Sequence, residues 1–392
     1  MVTGPRAVGK TTTSRRLARA VLRLDQPAER GIVLDDPDAA ISVGPFPLLL
    51  DEWQHAPEVL GAVKRAVDVD RRPGRFIITG SSRNDLIAGS WPGTGRFLDI
   101  QLWPLTGRER FGDATAPSLF DRWDTPTRFT VPADTPDILG YVRIALAGGF
   151  PAVLAADTDT DKRVRWMRSY VRAVSTRDLS ELDSSVGRRR SPERMRRYLQ
   201  VCALHSTGVI ADSALAESAR LDRKTAAGYH EVLNVLQLIA DTPAWRSNRL
   251  KRLVATPKRY LTDAGLAAWL AGVDFDVARH NSDARSRIID TYVAAQLRAE
   301  AEASNQLVQM HHLRTHRGEH EIDLIAEIGF RIAAFEVKTS NTPTRRDARH
   351  IIWLRDQLPA EQFAGGVVFH TGRHRHQIAE DIEAVPIAAL WG

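Results

Sequence analysis

Apolar positions in the first third of the chain fall in short unbroken runs, as buried strands require, with polar stretches between them. Leu48-Leu49-Leu50 leads into Asp51-Glu52 and predicts a parallel strand that delivers two acids to its C-terminal edge. Phe76-Ile77-Ile78-Thr79-Gly80-Ser81-Ser82 predicts a second, ending in hydroxyls. Residues 31–35 and 97–100 are expected to add two more strands. Leu17, Val21 and Leu24 recur at i, i+4 and i+7 and predict a helix. Alternation of this kind gives an α/β class for the first ~110 residues.

Farther on the pattern changes. Residues 111–137 are rich in Pro, Thr and Asp without periodicity and read as a linker or irregular lid. Helices are expected over 141–146 and 162–182, and Ser191-Pro192 makes an N-cap and first-turn pair for another. Residues 213–220 and 224–238 predict two helices joined by a tight turn, the second carrying Tyr229, Val232, Leu233 and Leu236 as one apolar stripe. Runs at 238–240 and 252–254, around Asn248 and Arg249, read as the two strands of a wing. A winged helix is therefore expected at 191–275, with Arg223, Lys224 and Thr225 in the exposed first turn that would face DNA. Arg188, Arg189, Arg190, Arg194, Arg196 and Arg197 lie just before or within it, and a solvated or subunit-contact face explains them equally well.

The last hundred residues alternate again. A helix through Ile288, Ile289, Tyr292, Val293 and Leu297 is followed by expected strands at 307–313, 321–326 and 332–338, with a turn at Gly329. A helix near 347–357 and a strand at 366–369 complete the unit.

At 392 residues the chain is too long for one core, and its 43% hydrophobic and 26% charged content argues against disorder throughout. A single cysteine, Cys202, excludes a disulfide framework or a Cys-rich zinc module, and its apolar neighbours predict a buried thiol. His311, His312, His370, His374 and His376 lack acidic partners in sequence and are expected at the surface. No apolar run approaches a membrane span and no signal-peptide pattern opens the chain, so a cytoplasmic protein is expected. The 54 basic residues against 48 acidic ones give +6, nearly all of the positive charge being arginine. That suits phosphate recognition, but it leaves nucleic acid as one possible partner and protein as another.

Chemistry concentrates at the front. Gly4-Pro5-Arg6-Ala7-Val8-Gly9-Lys10-Thr11, followed by Thr12, fits G-x-x-x-x-G-K-[ST] at every fixed position. Backbone N–H groups of such a loop curl around a phosphate, Lys10 neutralises the β and γ phosphates, and the Thr11 hydroxyl ligates Mg²⁺. Asp51 is expected to support Mg²⁺, Glu52 to orient or deprotonate the attacking water, and Ser81 to sense the γ-phosphate. Only Met1, Val2 and Thr3 precede the loop, so its supporting strand is expected to be very short, or the chain to start late, with nucleotide binding weakened.

These segments, in this order, resemble bacterial and archaeal AAA-type ATPases joined to a C-terminal domain of uncharacterised function. The likeness rests on Gly4 to Thr12, Leu34-Asp35-Asp36-Pro37, Leu50-Asp51-Glu52-Trp53-Gln54 and Thr79 to Ser82. It continues through Gly95-Arg96, Pro104-Leu105 with Glu109, Gly148-Gly149-Phe150-Pro151, Arg177-Asp178, and Pro257-Lys258-Arg259-Tyr260-Leu261 with Asp263 and Gly265. The resemblance implies ATP and Mg²⁺ as ligands. It also nominates Arg96 as an arginine finger, supplied in cis or by a neighbouring subunit, against the plainer reading of a salt bridge.

Near the other end Asp323, Glu336 and Lys338 match the D-x(n)-E-x-K arrangement of restriction-endonuclease-like folds. Residues two apart on a strand share a face, and a hairpin would return Asp323 beside them. Asp323 and Glu336 could then hold Mg²⁺ against a phosphate while Lys338 positions water. The resemblance places an acid on the preceding helix, where this chain has Asp290 in place of the usual Glu; Glu321 shares the Asp323 face and could substitute.

The expected organisation is thus a P-loop ATPase domain at 1–115, a linker and helical lid at 116–190, a winged-helix-like domain at 191–275 and a restriction-endonuclease-like domain at 285–392. Three functions fit: an ATPase whose nucleotide state controls the later modules, a nucleotide-gated adaptor with little turnover, or an ATP-regulated Mg²⁺-dependent nuclease. The subunit number is open.

Overall fold

A computed structural model describes residues 1–42, 44–80, 95–155, 160–180, 190–245, 256–315 and 318–392. The chain divides into two compact units. The first comprises 1–103, 173–191 and 231–237; the second comprises 104–172, 192–230 and 238–392.

In the first unit five parallel strands form one sheet: β1 (Val2–Thr3), β2 (Ala20–Arg23), β3 (Leu48–Asp51), β4 (Phe76–Thr79) and β5 (Ile100–Gln101), in the order β2-β3-β4-β1-β5. Helices α1 (Lys10–Leu17), α2 (Pro27–Asp35), α3 (Pro37–Ser42) and α4 (Val59–Val69) connect them. All four residues of β3 are buried, and Leu48 and Leu50 join Val33, Ile41, Val59, Leu60, Val63 and Ile78 in the core. The strand before the phosphate loop comprises Val2 and Thr3, and it is central. Val2 pairs with Thr79 on one side and with Ile100 on the other.

Three expectations fail here. Residues 31–35 are helical, because Pro27 opens α2 at a position where its missing N–H costs nothing and the turn continues through Asp35. The expected helix through Leu17, Val21 and Leu24 stops at Leu17. Val21 belongs to β2, where it pairs with Leu49, so tertiary pairing overrides a fortuitous 3.6-residue spacing. The strand expected at 97–100 begins only at Ile100.

The second unit carries helices α5 (Gly107–Phe111), α6 (Ile138–Ala147), α7 (Pro151–Ala155) and α8 (Thr160–Ala173). After α8 the chain makes a π-turn at Val174–Asp178, in the first unit. Helices α9 (Pro192–Leu204), α10 (Asp212–Ser218) and α11 (Arg223–Val235) are followed by the antiparallel pair β6 (Ile239–Thr242) and β7 (Lys258–Leu261). The wing strand expected at 252–254 falls outside the described residues, as do Asn248 and Arg249; the strand that pairs with β6 is β7. Tyr229, Val232, Leu233 and Leu236 are buried, as the apolar stripe predicts.

Helices α12 (Ala264–Leu270), α13 (Phe275–His280) and α14 (Ser282–Ala303) lead into a six-stranded mixed sheet. Its strands are β8 (Val308–Arg314), β9 (Glu321–Ile328), β10 (Arg331–Lys338), β11 (Phe363–His370), β12 (His376–Ala379) and β13 (Ile382–Pro386), in the order β12-β13-β11-β10-β9-β8, with α15 (Arg349–Gln357) between β10 and β11. These bounds follow the expected ones closely. Alternation along β10 sets the two faces: Ala333 and Phe335 pack with Ile289, Val293 and Leu297 of α14, while Ile332 and Ala334 pack with Ile351 and Leu354 of α15.

The stretch expected to be a linker or lid is core instead. Leu119, Phe120, Trp123 and Phe129 are all buried. Trp123 meets Phe335 edge-on at 5.6 Å and donates from Nε1 to the Ala364 carbonyl at 2.9 Å. Without periodicity, side chains of an irregular segment still cover a sheet if aromatics fall where its turns point inward. His312 and His370 are likewise fully buried rather than at the surface. The Cys202 thiol is buried as expected, and burial pushes it up to about 12.

Several family-like motifs prove architectural. Asp263 accepts from Leu266 N, capping α12, and from Gly149 N at 2.6 Å, while Leu105 N donates to the Gly149 carbonyl. A Cβ on Gly149 would stand 2.4 Å from Leu105 O, and one on Gly265 would stand 2.8 Å from Leu146 O. Glu109 closes a capping box with Thr106. Trp123→Ala is expected to lower stability by roughly 3–5 kcal/mol, as for other buried aromatic truncations; chemical denaturation checks this, and a change within error would return the segment to linker status.

Candidate functional site

The phosphate loop takes its shape from three left-handed positions, Gly4 (φ 151), Ala7 (φ 67) and Gly9 (φ 100). At Gly4 a Cβ would lie 2.4 Å from Leu102 O, so glycine is required there twice over, for conformation and for space. Successive N–H groups in such a bend point inward and favour an anion, and the α1 N-terminus adds its dipole.

Lys10 is buried beneath this bend and donates to the carbonyls of Gly4 and Pro5, each at 2.9 Å. Burial lowers its pKa to about 8, against the raising influence of Glu52, Asp51 and Asp178. Thr11 Oγ1 donates to Asp51 Oδ1 at 2.8 Å, and Thr79 Oγ1 donates to the same oxygen. Asp51 ends β3 and Thr79 ends the adjacent β4, so parallel pairing brings both to one edge of the sheet. Glu52 follows at φ 55 and accepts from Gln54 Nε2. Thr12 is exposed in the first turn of α1, and Ser81 lies outside the described residues.

Arg6 pairs with Asp178 at 3.2 Å, the aspartate being almost fully buried. Asp178 belongs to the Arg177-Asp178 pair, and no local signal in the sequence links it to the loop. Arg96 pairs with Asp68 of α4 at 2.8 Å. It precedes the parallel strand β5 and lines a cavity with Arg75 and Phe76, at the N-terminal edge of the sheet, whereas Asp51 and Thr79 occupy the C-terminal edge. The pair with Asp68 is the plainer of the two readings of Arg96, which would have to leave it and cross the sheet to act on the loop of its own chain.

The second cluster is built by β7, β9, β10 and α14. Lys338 Nζ donates to Glu336 Oε2 at 2.8 Å, and Asp323 Oδ2 accepts from Val337 N at 3.1 Å, so the hairpin brings the expected three residues together. Asp290 of α14 joins them. A fifth residue was not anticipated: Lys258 of β7 donates to Asp323 Oδ1 at 2.6 Å and lies 3.7 Å from Asp290 Oδ2. It is 1% exposed. Its sequence gives no warning, since a lysine in a four-residue strand ordinarily points to water. Glu321 turns instead to Arg314 at 3.7 Å.

The cluster's charges shift one another. Burial opposes the Lys258 charge, but Asp290 and Asp323 outweigh it and hold the ammonium well above its ordinary value. Burial and the charge of Asp323 push Glu336 well up, although Lys338 pulls the other way. Burial likewise raises Asp290 to about 7, against Lys258. For Asp323 burial raises, yet Lys258 and then Lys338 win and keep it below the carboxylate range. Among the described residues no three His, Cys, Asp or Glu side chains converge as a metal site. Asp323 and Glu336 each accept from a lysine.

Residues 1–111 match a family model described as an AAA domain. Residues 139–277 and 285–390 match two further models, each described as a domain of unknown function. Two curated relatives, an uncharacterised protein of Mycobacterium tuberculosis and one of Mycobacterium bovis, are each 28% identical over 390 residues, covering 98% of this chain and 79% of theirs. Among the described residues no helix is long and apolar enough to cross a membrane.

An AAA-type domain suggests a nucleoside triphosphate as ligand, and the residues present fit one: a left-handed cradle, a buried ammonium and a hydroxyl–carboxylate pair suited to Mg²⁺. A triphosphate needs the charged form of Lys10, which the free protein holds below about pH 8. Affinity for MgATP is therefore expected to be flat from pH 6 to 7 and to weaken up to about tenfold per pH unit above 8, where Lys10 must be reprotonated on binding. Titration calorimetry across this range checks it, with Lys10→Arg expected to flatten the profile.

Proposed function

We propose that the first unit binds and hydrolyses ATP with Mg²⁺. The observation that carries this reading is the meeting of Lys10, Thr11, Asp51 and Thr79 at the C-terminal edge of a parallel sheet, directly beside the phosphate loop. Lys10 would exchange the Gly4 and Pro5 carbonyls for the β and γ phosphates, and Gly4 through Thr12 would supply the cradle. Mg²⁺, held through Thr11 and Asp51, would neutralise charge developing on the phosphates. Glu52 would orient and deprotonate water. Ser81 keeps its expected role as a γ-phosphate sensor, and Arg96 that of a finger offered to a second copy.

The later modules add to this reading. Helices α9, α10 and α11 followed by the β6–β7 pair have the element order of a winged helix, and Arg223 and Lys224 are exposed at the start of α11. Helix α14, the antiparallel run β8–β9–β10, helix α15 and the parallel strand β11 have the order of a restriction-endonuclease-like unit. We read the whole as an ATPase whose nucleotide state controls DNA- or protein-binding modules. The buried Lys258 favours a nuclease-like module that binds rather than cuts, which brings the nucleotide-gated adaptor forward as the alternative.

Lys10→Ala is expected to abolish ATP affinity without unfolding the protein. Glu52→Gln is expected to keep affinity while lowering turnover by about 10²–10⁴-fold. Equilibrium binding and single-turnover hydrolysis check both. Unchanged turnover in Glu52→Gln, with tight binding retained, would leave the adaptor as the better reading. A Mg²⁺-dependent nicking assay against Glu336→Ala tests cleavage directly.

A further inference from the structure

We propose that Lys258 is the resident cation of the Asp290–Asp323–Glu336 cluster, taking the place that the D-x(n)-E-x-K resemblance would give a divalent metal, so that the cluster as built does not take one. The inference concerns which cation the cluster holds, and it stands or falls apart from whether the module cuts DNA.

Three observations carry it. First, the Nζ of Lys258 lies 2.6 Å from Asp323 Oδ1 and 3.7 Å from Asp290 Oδ2, bridging carboxylates from two different elements as a metal would. Second, two carboxylate oxygens of the cluster, Glu336 Oε1 and Asp290 Oδ1, are buried without a hydrogen-bond partner, and Glu336 as a whole is 3% exposed. Such oxygens are left when a site has more acceptors than its cations can serve. An ammonium gives three donors; a hexacoordinate ion would draw in more oxygens. Third, the lysine comes from outside the D-x(n)-E-x-K hairpin. Strand β7 is buried along its whole length and pairs with β6, with Thr242 opposite Lys258, so its backbone is held independently of the carboxylates.

A divalent ion sits about 2.0–2.6 Å from its oxygen ligands. Bound to Asp323 Oδ1, it would nearly touch the Lys258 ammonium, with like charges unscreened by water. At that oxygen one cation excludes the other. Lys338 does not compete in this way: it is a third exposed and bonds only Glu336.

The test uses the full-length protein and Mn²⁺ followed by electron paramagnetic resonance, with Glu336→Gln as the control that separates this cluster from Thr11 and Asp51. Wild type is expected to show no Mn²⁺ binding that depends on Glu336, even at millimolar metal. Lys258→Met is expected to gain one such site, with affinity at least tenfold above wild type, and to be stabilised by added Mn²⁺ in thermal melts. Glu336-dependent binding to wild type would overturn the proposal, as would a folded Lys258→Met that binds no metal. Should that variant not fold, reductive methylation of wild type read by mass spectrometry decides. Lys258 left unmodified with and without Mn²⁺, while exposed Lys224 reacts, supports a resident ammonium; labelling of Lys258 at the Lys224 rate overturns it.

Discussion

A buried positive charge must be met by oxygen, and the kind of oxygen determines what the charge can do next. The chain has seven lysines, and three of them, Lys10, Lys258 and Lys338, belong to its two polar centres. Lys10 is met by neutral carbonyls, and burial, which they do not offset, lowers its proton affinity. Lys258 is met by carboxylates, which raise its proton affinity and hold it by a charge-assisted bond to Asp323. The same side chain is thereby held by neutral oxygens at one centre and by charged ones at the other.

The phosphate-loop cluster was legible because its motif is carried by contiguous residues. A loop of eight positions and two short apolar strands fix Lys10, Thr11, Asp51 and Glu52 without help from distant sequence. Thr79 was visible only as a hydroxyl ending a strand, and parallel pairing with β3 turned it into a partner of Asp51. Asp178 could not be assigned, because its contact with Arg6 depends on how the chain returns after more than a hundred residues. Arg96 was nominated by the resemblance alone, and topology places it at the N-terminal edge of the sheet, paired with Asp68.

The same distinction governs the fold. Strands β8 to β11 declared themselves by alternation and by the turn at Gly329. Residues 31–35 looked equally strand-like, but the helix start at Pro27, four residues upstream, decides their conformation. Residues 111–137 carry no period at all, so their aromatic contribution to the core was invisible to any window-based reading. Lys258 is the clearest case. It sits within the Pro257-Lys258-Arg259-Tyr260-Leu261 stretch, yet only the approach of β7 to β9 and α14 shows that its ammonium is paired.

Asp263, Gly149 and Leu105 come from three separated stretches and hold one another at backbone level, with no room for a side chain on Gly149. Selection on such a clasp acts on all three stretches together, whatever reaction the protein performs. Proteins that share Gly-Gly-Phe-Pro and the Asp263–Gly265 signature are thus alike in how they are assembled, and inheritance of those letters alone says nothing about inherited chemistry.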